Sequence, residues 1–72
     1  MRLRNSLRET RLGRGLTQEG LAALVGVTRQ TIIAIEKEKF VPSVKLALEL
    51  AAALETPFGR IFRLEDDQRE QR

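Results

Sequence analysis

The chain contains no cysteine, histidine, tryptophan or tyrosine, and only two prolines and three phenylalanines among 72 residues. Without a thiol or an imidazole, no disulfide framework, zinc site, thiol nucleophile or imidazole base can be assembled. No apolar run approaches the roughly twenty residues of a membrane span, and no charged start, apolar stretch and cleavage site mark a signal peptide. The expectation is a soluble, cytoplasmic protein. Glu9, Glu19, Glu36 and Glu49 supply carboxylates, but on different helix faces and with no metal or nucleophile beside them, which argues against paired-carboxylate catalysis. Gly13-Arg14-Gly15 lacks the preceding strand and the further spacing of a phosphate loop. The composition therefore points away from an enzyme, and no cofactor or metal is expected.

Length sets a second bound. One short domain buries only about 60% of its unfolded surface, and its stability should lie between a few and roughly ten kcal/mol. Chains of this size often gain stability by dimerising. The net charge is only +3, yet residues 1–45 carry nine basic and four acidic side chains while residues 65–72 carry four acidic and two basic. A basic front of this kind suits a polyanionic partner. Residues 1–64 read as the folded domain, and the charged, aperiodic stretch 65–72 reads as a frayed tail.

The most informative stretch is Thr17–Glu36. Thr17 can cap a helix whose first turn holds Gln18 and Glu19, groups that satisfy free backbone N–H donors and oppose the helix dipole. Leu21, Ala22 and Val25 line one apolar face. Gly26 then stands where a helix often stops in a left-handed conformation. After a turn of Gly26 and Val27, Thr28 caps a second helix with Ile32 and Ile35 on its inner face and Arg29, Gln30, Ile33 and Lys37 on its outer one. Ala22, small and four residues before Gly26, lets the two helices approach closely.

The spacing Gln18, Ala22, Gly26, Val27, Ile32, Ile35 is that of a helix-turn-helix. Together with Arg11, Gly15-Leu16-Thr17-Gln18, Thr31-Ile32, Ile35-Glu36 and Pro42-Ser43, it makes the sequence resemble the Cro and phage-repressor type of regulator, the XRE family, from about Leu3 to Phe62. The resemblance implies an all-α, compact five-helix, lambda-repressor-like DNA-binding domain in a bacterium, archaeon or phage. It also implies glycine at the positions of Glu38 and Glu55, where such chains turn with positive φ.

The remaining elements follow from local pattern. Leu3 and Leu7 form an i, i+4 pair in a first helix over residues 3–12 that ends near Gly13, and Leu16 plugs the core at the following turn. Pro42-Ser43 starts a helix from Val44 to Leu54 with Val44, Ala47, Leu50, Ala51 and Leu54 as its stripe; either residue of the pair can be its N-cap. Thr56-Pro57 starts a last helix with Phe58, Ile61 and Phe62 on one face, part of it available to a second subunit.

Candidate functional residues gather around the helix that starts near Thr28. Arg29 can donate two parallel hydrogen bonds to guanine and Gln30 can pair with adenine; the resemblance also places base readers there. Ile33 and Ala34 can meet thymine methyl groups. Gln18, Thr28, Thr31, Lys37 and Lys39 are candidate phosphate contacts. By resemblance, Arg11 pairs with Glu36 and buttresses this helix. The expected protein is a transcriptional regulator, a repressor in type, acting as a homodimer through its C-terminal helices on a short palindromic operator in double-stranded DNA. The rival reading is a protein-binding adaptor such as the antitoxin half of a toxin–antitoxin pair. RNA is disfavoured because exposed aromatics to stack unpaired bases are lacking.

Overall fold

The computed structural model describes residues 1–66. The element order is β1 (Arg2–Asn5), α1 (Leu7–Gly13), α2 (Gln18–Val25), α3 (Arg29–Glu36), α4 (Val44–Ala53), α5 (Phe58–Ile61) and β2 (Phe62–Glu65). Five helices are present as expected, but the fold is not all-α. β1 and β2 form an antiparallel two-stranded ribbon in the register Arg2↔Glu65, Leu3↔Leu64, Arg4↔Arg63 and Asn5↔Phe62.

The ribbon displaces the expected start of the first helix. Asn5 accepts the Leu7 backbone N–H on its side-chain oxygen at 3.1 Å, and the Ser6 N–H donates to the Ile61 carbonyl at 2.8 Å. These bonds divert the chain before Leu7, so Leu3 packs on the core from a strand and not from a helix turn. At the other end α5 makes a single turn, and Phe62 leaves it with extended backbone (φ −120°, ψ 138°). Glu65, assigned to the tail by its charge, is the last residue of β2; residues 67–72, where the rest of that tail falls, lie outside the described residues.

Leu7, Leu21, Ile32, Ile35, Leu50, Leu54 and Ile61 have essentially no exposed surface and form the centre of the core. Their spacing explains the helices: Ile32 and Ile35 at i, i+3 turn one face of α3 inward, and Ala47, Leu50, Ala51 and Leu54 do the same for α4. Val44 does not belong to that stripe, because it opens the first turn of α4 beyond the edge of the core and is 75% exposed. Ser43 is the N-cap of α4, accepting the Leu46 N–H, and the buried Pro42 precedes it.

Each of the helices α1 to α4 is followed within two residues by a left-handed residue: Gly15 (φ 72°), Gly26 (φ 74°), Glu38 (φ 62°) and Glu55 (φ 51°). After α3 the Glu38 N–H returns to the Ile35 carbonyl and the Lys39 N–H to that of Ala34. After α4, Glu55 and Thr56 repeat the pattern onto Ala52 and Ala51. Both loops therefore keep the turn that the family likeness associates with glycine, while using glutamate to make it.

Candidate nucleic-acid interface

The site is assembled by two capped helices and the tight turn between them. Thr17 accepts the Gly20 N–H at 2.9 Å and starts α2. Gly26 ends that helix, and the Val27 N–H closes the turn on the Ala22 carbonyl at 3.0 Å. Ala22 is buried in the core. Thr28 caps α3 by accepting the Thr31 N–H, and the two threonine hydroxyls lie 3.2 Å apart. A short, fixed turn therefore sets the direction in which α3 leaves the body.

One face of α3 is sealed by Ile32 and Ile35, so the opposite face turns to solvent. Arg29 and Gln30 are exposed on its leading turn, and neither side chain makes a hydrogen bond or ion pair among the described residues. Ile33 and Ala34, one turn on, are half-buried but outside the core cluster. Thr28 is exposed and Thr31 half-buried at the leading end, whereas Lys37, the C-cap residue, and Lys39 are exposed at the trailing end. Arg29, Gln30, Thr28 and Thr31 thus cluster at one end of α3, and the two lysines stand at the other.

Arg11 and Glu36 do meet, and they meet inside the molecule. Arg11 Nε donates to Glu36 Oε2 at 2.7 Å, and Arg11 Nη2 reaches Oε1 at 3.3 Å. The side chains are only 7% and 4% exposed. Arg11 Nη1 also donates to the Leu16 carbonyl at 2.9 Å. Gln18, a candidate phosphate contact, is half-buried and donates its amide to Glu36 Oε1 at 3.1 Å. Because a glutamine amide has two N–H donors, one remains beyond this bond. Glu36 is therefore the common acceptor that ties α1 and α2 to the end of α3.

Two further links to α3 escaped the reading of the sequence. Asn5 Nδ2 donates to the Ile35 carbonyl at 2.9 Å, and Arg4 bonds Glu38 Oε2 through Nε at 2.9 Å and Glu65 Oε1 through Nη1 at 2.6 Å. The hydrogen bond from Arg4 holds the Glu38 carboxyl below its ordinary range, with the arginine charge adding to it and burial opposing. The same bonds, to Glu38 first and Glu65 second, make the Arg4 guanidinium harder still to deprotonate. Asn5-Ser6 ahead of Leu7 was the available signal, since both residue types favour helix entry.

No helix among the described residues is long and apolar enough to cross a membrane, and no group of three or more acidic side chains placed to hold a metal ion occurs among them.

Comparison with known proteins agrees with this geometry. The family described as helix-turn-helix matches residues 7–61. An HTH-type transcriptional regulator of Methanocaldococcus jannaschii is 48% identical over 66 residues, covering 92% of this chain and all of that protein. One from Methanothermobacter thermautotrophicus is 52% identical over 70 residues, covering 90% of this chain and 96% of its own. Among solved structures, the restriction-modification controller protein C.AhdI from Aeromonas hydrophila superposes with a TM-score of 0.72 at 37% identity, over 75% of this chain and 78% of that one. The chain belongs to the XRE-type helix-turn-helix family of DNA-binding transcriptional regulators.

Proposed function

We propose that this regulator binds a specific operator by placing the leading end of α3 in the major groove, where each base pair shows a distinct set of donors, acceptors and methyl groups. The observation that carries this reading is the two-sided character of α3: Ile32 and Ile35 have no exposed surface, while Arg29 and Gln30 stand in solvent with no protein partner among the described residues. Arg29 then reads guanine and Gln30 adenine. Ile33 and Ala34 lie against thymine methyls or sugars. Gln18, Thr28, Thr31, Lys37 and Lys39 grip the flanking phosphates and fix the register.

The regulator acts as a cytoplasmic homodimer on a short palindromic site and represses by occupying it. Exposed apolar side chains on the C-terminal elements support this assembly, with Val44 and Leu48 on α4, Phe58 on α5 and Leu64 on β2. Two-fold symmetry sets the recognition helices about 34 Å apart, one turn of DNA.

Selection of bound duplexes from a random pool tests the reading, since it reports base preference, half-site spacing and symmetry together. Arg29→Ala is expected to cost roughly 1–3 kcal/mol and to relax the preference at one base pair, whereas Lys37→Ala weakens all sequences alike. An unchanged preference in the Arg29→Ala selection would remove Arg29 from the readout.

A further inference from the structure

The loop that follows α3 sets a carboxylate between two lysines. Lys37 and Lys39 are exposed on either side of Glu38, at the end of α3 proposed to lie along the phosphate backbone. Glu38 also keeps the left-handed backbone (φ 62°) that glycine adopts without steric cost. Acidic charge near phosphate opposes binding, and within about 8–10 Å salt screens it only in part.

The carboxylate is engaged from the ribbon. Arg4 Nε donates to it at 2.9 Å, and Arg4 is itself held by Glu65 at 2.6 Å, with Arg2 3.9 Å from the same Glu65 oxygen. The neighbouring Asn5 amide donates to the Ile35 carbonyl, which also accepts the backbone N–H of Glu38. β1 therefore holds this end of α3 twice, once through the Glu38 charge in the loop and once through the Ile35 carbonyl in the last turn of the helix.

We propose that Arg4 is a positioning residue for DNA binding: it neutralises Glu38 and draws it against the ribbon, so that the Lys37–Lys39 end of α3 meets phosphate as a positive surface. The proposal rests on the DNA-binding reading above. Arg4 itself touches no DNA. Its effect on affinity passes through Glu38 and vanishes when the carboxylate is removed.

The test is a double-mutant cycle on the full chain, with the wild type, Arg4→Ala, Glu38→Gln and the double variant. The probe is a fluorescently labelled random-sequence duplex of about two helical turns, followed by anisotropy, with far-UV circular dichroism and a thermal melt on each protein. Arg4→Ala is expected to weaken binding roughly threefold to tenfold, from one uncompensated charge near phosphate at partial screening. Glu38→Gln is expected to bind at least as well as the wild type, and the double variant to match Glu38→Gln.

Equal losses from Arg4→Ala in both backgrounds would make Arg4 a phosphate ligand or a scaffold residue and overturn the proposal. So would wild-type affinity in Arg4→Ala. Arg4→Gln, which removes the charge and keeps hydrogen-bonding capacity, replaces the alanine variant in the same cycle should that variant melt below the assay temperature. A wild type that binds no duplex at low salt would overturn the DNA-binding reading and this inference with it.

Discussion

Two arginine–glutamate links hold the trailing half of α3, and they differ chiefly in what surrounds them. Arg11 and Glu36 are enclosed between α1, α2 and α3, with the Leu16 carbonyl and the Gln18 amide completing their hydrogen bonds. Arg4 and Glu38 meet at the edge of the molecule, about a third of each side chain open to solvent. Burial raises the electrostatic stakes, because charges removed from water must find every partner they lost. At the surface the same pairing contributes little to stability and acts mainly on where charge is displayed. The inner link fixes the orientation of α3; the outer one adjusts what its end presents.

The largest expected effect comes from breaking the inner link on one side. Arg11→Ala leaves Glu36 in the interior with only the Gln18 amide, and removal of one member of a buried pair costs about 3–5 kcal/mol. That is a large share of the few to roughly ten kcal/mol available to a domain of this size. Urea denaturation followed by circular dichroism is expected to show a protein partly or wholly unfolded at 25 °C. Arg4→Ala, measured alongside, should stay folded. Near-equal midpoints for the two variants would erase the distinction between them.

The inner link was legible in advance and the outer one was not. Caps and helix stripes act over three or four residues, so Thr17, Gly26, Thr28 and the spacing of Ile32 and Ile35 announced α2, α3 and their turn. The Arg11–Glu36 pair came from family resemblance, because nothing local in the residues joins positions 25 apart. The ribbon pairs residues near opposite ends of the chain, a separation no periodicity reaches, and Leu3–Leu7 at i, i+4 imitated a helix. Arg4–Glu38 was hidden twice: it depends on that ribbon, and the resemblance called for glycine at position 38. Val44 continues the α4 stripe by count alone, since periodicity does not say where the core ends.

The left-handed turns offer a smaller and more local comparison. At Gly26 an added Cβ would meet no other atom within 4 Å, so Gly26→Ala tests backbone conformation alone and is expected to cost about 1–2 kcal/mol. Glu55→Gly reverses that strain and is expected to gain up to about 1 kcal/mol. The Arg14 bond to the residue 55 carbonyl at 2.9 Å survives the change, and the 3.7 Å ion pair to the Glu55 side chain is exposed and contributes little. Glu38→Gly relieves the same conformation but removes the acceptor of Arg4, so its gain should be the smaller of the two. Thermal melts of the three variants check the order, and a larger gain at position 38 would show that Arg4 contributes nothing to holding that loop.

The smallest effect is a dependence on pH. The folded carboxyl of Glu38 titrates below its unfolded value because Arg4 donates to its charged form. A group depressed in this way stabilises the fold above the unfolded carboxyl pKa of about 4.3, and the contribution is lost as pH falls through the lower, folded value. Arg4 is raised instead, so its own contribution is complete at every pH below the unfolded arginine range and adds no slope under acid conditions. The stability difference between the wild type and Glu38→Gln should therefore favour the wild type near neutrality and shrink as pH falls below about 4. Glu65 shares Arg4 and Arg2, but it is present in both proteins and largely cancels in the difference. Urea midpoints compared at about pH 7 and about pH 3 check this. A gap that persists unchanged in acid would mean that the carboxylate charge is not what Arg4 holds, and the contrast between the inner and outer links would rest on burial alone.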